Sequence, residues 1–151
     1  MMSRPADEVA LDTRLRTMRI LWAAQLLTVG LFFVVTRVTR PDVDAPGAAE
    51  RNNPPLLYAL AAAGLSAVVV SFVLKGIFYR RAAERQQPAQ VQTGLVLALA
   101  LCETAVLMGL VGFFITLSDY AYLLFVLGAL GMALHFPRRE QVQAAHYKSV
   151  G

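Results

Sequence analysis

The sequence predicts an all-α fold: an integral membrane four-helix bundle made of two antiparallel hairpins, with both termini in the cytoplasm. Three observations lead there. Apolar residues make up 57% of the chain and charged residues only 16%, where a soluble domain carries about 25% charged residues. The apolar residues collect in four blocks, at about 18–36, 56–79, 91–117 and 120–136. The basic residues bracket those blocks instead of forming a stripe on a polar domain.

A helix rises about 1.5 Å per residue, so roughly 20 residues cross a hydrocarbon core of about 30 Å. The first three blocks are long enough, and the fourth is at the short limit. Inside lipid every backbone polar group must be satisfied within the segment, which makes the blocks helices. A chain of 16.5 kDa cannot surround four such segments with its own residues, so a soluble core is the poorer alternative.

Residues 1–17 form a mixed-charge N-terminal tail, expected to be loose to about residue 12, with Asp12 as a candidate helix cap. The first block is followed by Arg37 and Arg40 and by no small-residue cleavage site. It therefore reads as a retained helix and not as a secretory signal. The first loop, "TRVTRPDVDAPGAAERNNPP", has the Pro, Gly and mixed charge of an exposed linker. In the second block Lys75 lies one turn from the cytoplasmic end, where its side chain can snorkel outward. The third loop, "SDY", is so short that the third and fourth helices must be antiparallel. The fourth closes on His135 and Pro137, with His135 expected at the interface. Trp22, Tyr58, Tyr79, Tyr120 and Tyr122 lie near block ends as interfacial anchors. Residues 137–151 are a basic C-terminal tail.

Orientation follows from Lys and Arg. Arg4, Arg14, Arg16 and Arg19 precede the first block; Lys75, Arg80, Arg81 and Arg85 end the second; Arg138, Arg139 and Lys148 follow the fourth. Only Arg37, Arg40 and Arg51 fall on the other side. The positive-inside rule puts the richer side in the cytoplasm, and the expected location is a bacterial inner membrane. Arg80, Arg81, Arg85, Arg138 and Arg139 are expected to touch its surface. The net charge of +4 is spent on this bracketing, so nucleic acid is not an expected partner.

The third block carries two features. Gly94, Ala98, Cys102, Ala105, Gly109, Gly112 and Thr116 recur at three- and four-residue steps, as one stripe of small residues. Such stripes let helix backbones approach closely in a membrane. Candidate partners are Gly128 and Gly131 of the fourth helix, and Ala59, Ala63, Ser66 and Ala67 of the second. Beside the stripe stands Glu103, the one charged residue between Arg85 and Asp119. A charge near mid-membrane costs about 2.5–3.5 kcal/mol on insertion scales. Glu103 is thus expected to find polar neighbours such as Gln25, Thr28, Ser66, Ser71 or Thr104. It can join helices, pair with another subunit, or bind and release a proton or small cation.

No soluble-type catalytic set is present. His135 and His146 have no Cys or carboxylate at ligand spacing, and there is no glycine-rich phosphate loop or nucleophile elbow. Cys102 is the single cysteine, which rules out an internal disulfide and reads as a small packing residue. The expectation is a non-enzymatic membrane protein without metal or organic cofactor, acting as a small subunit of a homo-oligomer or a larger complex.

The stretch "RQQPAQVQTGLVLALALCETAVLMGLVGFFI", Arg85 to Ile115, resembles part of the proteolipid c subunit of rotary ATP synthases. Arg85, Gln86 or Gln87, and Pro88 stand where that family has its polar cytoplasmic loop. Gln92 and Thr93 stand in the place of its Arg-Thr pair. Glu103 stands at the ion-binding carboxylate, and Gly109-Leu110-Val111 at the glycine element that follows it. The resemblance implies a proton- or sodium-handling role for Glu103. The second helix departs from it, having bulky "VVVSFVL" where the family has alternating glycines. The whole chain also resembles uncharacterised small four-helix bacterial membrane proteins with a similar "FPRRE" ending, a likeness that implies no activity.

Overall fold

The computed structural model describes residues 4–40 and 53–146, with side chains from residue 8 to residue 145. Most of the first loop, with Arg51, and the tail beyond His146, with Lys148, lie outside the described residues. Helix α1 is Arg4–Val38, α2 Pro54–Arg85, α3 Pro88–Thr116, α4 Tyr122–Leu134 and α5 Arg139–His146, with a 3-10 turn at Asp119–Ala121. The described residues contain no strand. Three helices are long and apolar enough to cross a membrane, and α4 with α5 makes a fourth candidate span only across a 55° bend.

Several boundaries differ from the expected ones. Helix α1 begins at Arg4, and Asp12 lies inside it instead of capping it. The polar residues before Met18 hid a continuing rhythm: Leu11, Leu15 and Met18 are all buried. Helix α2 runs on to Arg85, and only two residues separate it from α3. That tight turn is possible because Gln86 takes a left-handed φ of 52° and Pro88 supplies a first-turn residue with no N–H to satisfy. The tail is not featureless either, since α5 is helical and buries Val142 and Ala145.

The helices meet along rows that alternate steps of four and three residues. In α3 the row is Val91, Leu95, Ala98, Cys102, Ala105, Gly109, Gly112 and Thr116, all buried. In α2 it is Leu57, Gly64, Val68, Ser71, Lys75 and Ala82. A repeat averaging 3.5 residues keeps one row against a neighbour over many turns. Helix α3 is the centre: it touches α1, α2, α4 and α5, and 44% of its apolar window is buried, against 17% for α2 and 11% for α1. The remaining faces expose Leu27, Leu31, Leu65, Val69, Val73 and Val111 among others. A continuous apolar exterior of this kind suits lipid, not water.

The face of α2 that packs is not the expected one. Ala59, Ala63 and Ser66 are exposed and Ala67 half-buried, while Gly64, Val68 and Ser71 point inward. Helix α2 is apolar nearly all round, so its pattern does not mark a face. Close approach does: a Cβ on Gly64 would lie 3.3 Å from the Ala105 Cα.

Two ion pairs mark the ends of α1. Arg139 Nη2 is 3.4 Å from Asp12 Oδ1, and Arg40 Nη2 is 3.3 Å from Asp119 Oδ1. The start of α1 therefore lies beside the end of α4, and its end beside the beginning of α4. Exposed pairs of this kind are worth about 0–1 kcal/mol each. The apolar contact under α5 is worth more, because Val142 and Ala145 share a core with Leu11, Leu15 and Met18. Val142→Asp puts a carboxylate into that core and is expected to cost roughly 2–3 kcal/mol locally. Trypsin should then cut at Arg139 and Arg14 much faster than in the wild type, while Glu140→Ala, at an exposed position, leaves the digestion pattern unchanged.

Candidate functional site

Glu103 is the sixteenth of 29 residues in α3 and so stands at the middle of that helix. It is half-buried, on an edge of α3 where Val96, Ala100 and Leu107 are exposed. Among the described residues its carboxylate has no ion-pair partner and accepts no hydrogen bond. The hydroxyls among the expected polar neighbours are committed elsewhere, and Gln25 makes no side-chain hydrogen bond among the described residues. Thr28 donates to the Ala24 carbonyl at 3.1 Å, Ser66 to Ala62 at 2.7 Å, and Thr104 to Ala100 at 3.0 Å. Such bonds within one helix satisfy a hydroxyl and leave nothing for a carboxylate.

The small residues of α3 and α4 lie where the helices approach closely. Gly94 faces Phe78 and Tyr79 of α2; Gly109 faces Ala121, Leu124 and Phe125; Gly112 faces Leu57 and Leu60. Gly128 faces Val106 and the Cys102 carbonyl, and Gly131 faces the Cys102 sulfur. Ala98, Cys102 and Ala105 are fully buried. The stripe thus serves α2 on one flank and α4 on the other. Arg80, Arg81, Arg85, Arg138 and Arg139 are all exposed.

The structure also brings together a polar centre that the sequence did not reveal. Ser71, Lys75, Cys102 and His135 come from α2, α3 and the end of α4. The His135 ring lies inside the protein, with an exposure of 0%. The chain leaves α4 by a turn in which Pro137 is also buried, so the imidazole is carried inward. Its Nε2 lies 2.8 Å from Ser71 Oγ, and the Phe72 ring covers it at 4.4 Å between centroids. Ser71 Oγ is also 3.5 Å from Cys102 Sγ. Trp22, expected as an anchor in headgroups, instead donates from Nε1 to the Met132 carbonyl at 2.7 Å and meets Phe136 edge-on at 5.0 Å. Tyr79 and Tyr122 have buried hydroxyls, whereas Tyr58 and Tyr120 are exposed, as anchors are.

Comparison with models of known protein families, with curated proteins and with solved structures finds no match to this chain.

The chemistry therefore rests on geometry. Ser71 has one hydroxyl proton, and at 2.6 Å from the Val68 carbonyl it must be donated there, since a carbonyl cannot donate. Ser71 Oγ then accepts from His135 Nε2–H, which leaves Nδ1 as a bare acceptor, buried and without a partner. A serine nucleophile needs the reverse arrangement, with the imidazole taking the proton. Among the described residues no three His, Cys, Asp or Glu side chains converge. The Ser71–His135 hydrogen bond joins α2 to the end of α4. Lys75 does not snorkel. It is 8% exposed, and its Nζ lies 5.2 Å from the centre of the Tyr79 ring. The available signal was the pair Ser71 and Lys75, one turn apart within the apolar run Val68–Phe78 of α2.

Proposed function

We propose that this chain is a non-enzymatic subunit of a bacterial inner-membrane assembly, either a homo-oligomer or a larger complex. It would span the bilayer as a four-helix bundle with both termini and the turn at 86–87 in the cytoplasm. The basic residues at one end and the apolar exterior support that placement. The observation that carries the subunit reading is Glu103, half-exposed at the midpoint of α3 and without a partner among the described residues. An acid left bare at that depth is costly. A donor on a neighbouring subunit would remove the cost.

A second reading has a specific observation behind it. A carboxylate open to the side of a membrane helix can take up a proton or sodium ion, and Arg85–Ile115 resembles the proteolipid c subunit around that position. One experiment separates the two. The protein is purified in mild detergent from native membranes as wild type, Glu103→Gln and Glu103→Leu, sized by native electrophoresis, and treated with a hydrophobic carbodiimide. The subunit reading expects Glu103→Leu to fall out of the assembly and Glu103→Gln, which can still hydrogen-bond, to remain. The ion reading expects all three to assemble, with rapid labelling of Glu103 that sodium or high pH blocks. Full assembly of all three without labelling removes both.

A further inference from the structure

One cation inside the protein lacks a counter-ion. Lys75 is buried, yet none of the ion pairs among the described residues includes it. The charged and titratable groups that face it are Arg138 and His135 from the end of α4, Cys102 from α3 and Tyr79 from its own helix. None is a carboxylate, and Arg138 repels it. One more polar atom of this layer is buried without a partner: the Tyr79 hydroxyl. Burying an ammonium without an opposite charge is expensive, and a lysine in an apolar helix ordinarily reaches along its stem toward water to avoid it. Here it turns inward, beside a second cation. Among the described residues, what the Lys75 ammonium and the Tyr79 hydroxyl lack is a negative charge and an acceptor oxygen.

A phosphate supplies both. Its oxygens accept from an ammonium, from a phenol and, two at a time, from a guanidinium. The basic residues Arg14, Arg16, Arg19, Arg80, Arg81 and Arg139 surround the same end of the molecule, where headgroups of the adjacent leaflet lie. We propose that Lys75, Tyr79 and Arg138 form a binding site for a phosphate group, presented by the headgroup of an anionic phospholipid. Arg138 is exposed and would be the outer contact, and Lys75 the inner one. The inference rests on the membrane placement proposed above, but not on any role of Glu103.

The test is native mass spectrometry of the full chain in detergent, titrated with phosphatidylglycerol, phosphatidylcholine or inorganic phosphate. The wild type is expected to retain one phosphatidylglycerol at least tenfold more tightly than phosphatidylcholine. Lys75→Met and Arg138→Gln each abolish that preference, Tyr79→Phe weakens it, and Lys75→Arg and Glu103→Gln keep it. Because Arg138 is exposed, its variant decides the matter even if Lys75→Met fails to fold. Saturable, Lys75-dependent binding of inorganic phosphate with no lipid preference would overturn the lipid source. Equal retention of both lipids, or an unchanged preference in Arg138→Gln, overturns the site. A Glu103→Leu protein that leaves its assembly but keeps the lipid separates this result from the subunit question.

Discussion

Gly128→Ala is expected to destabilise the protein by about 1–3 kcal/mol, the usual cost of forcing a methyl group into a filled interior. A Cβ at Gly128 would collide with Val106 Cγ2 and stand 2.8 Å from the Cys102 carbonyl oxygen. That oxygen belongs to the backbone of α3 and cannot rotate away, so the helices themselves must part. Gly94→Ala should behave alike, with a Cβ 2.6 Å from that of Phe78. The same substitution at Gly30 or Gly76 meets nothing within 4 Å. There alanine should be neutral or favourable, by up to about 1 kcal/mol of helix propensity. Thermal unfolding of the four variants in detergent checks this. Similar midpoints for all four would mean that α3 and α4 are not packed as described.

Ser71→Ala is expected to cost about 1–3 kcal/mol, because it leaves both ring nitrogens of His135 buried with no partner. His135→Leu should cost less, since Ser71 still donates to the Val68 carbonyl at 2.6 Å and no polar atom is stranded. The double variant should then be no less stable than Ser71→Ala alone. Equilibrium unfolding of the four proteins yields the coupling between the two sites. Strict additivity would show that the 2.8 Å contact does not hold α2 to the end of α4.

The apolar helices were legible because lipid leaves the backbone few choices and because spans have a known length. The packing row of α3 was legible too: Gly, Ala, Cys and Thr stand out among Leu, Val and Phe. The matching row of α2 was not. With Ala and Val on every side, only a contact such as Gly64 against Ala105 chooses its face. The early start of α1 was hidden by Asp, Glu and Arg, although Leu11, Leu15 and Met18 kept the rhythm beneath them. For the candidate site, Glu103 was conspicuous as a lone charge. The joint at His135 was invisible, because its members stand 31 and 64 residues from Ser71 along the chain. Only the inward turn after Leu134 assembles them. Lys75 shows the same limit: its place one turn from the end of the apolar block predicts an outward reach, but the helix continues beyond it to Arg85.

Helix α4 has 13 residues and the turn before it three, which span about 20 Å and about 6 Å. A hydrocarbon layer of about 30 Å is taller than that by a few ångströms. The other three helices have 35, 32 and 29 residues and fill it with length to spare. In the four-span arrangement proposed above, lipid beside α4 would have to compress while lipid around the rest of the molecule would not, so the protein would sit in a lopsided annulus. Two copies that turn their short sides together share one compressed patch instead of maintaining two, an attraction carried by the bilayer alone. It weakens as acyl chains shorten, so the tendency to cluster becomes a property of the membrane as much as of the sequence.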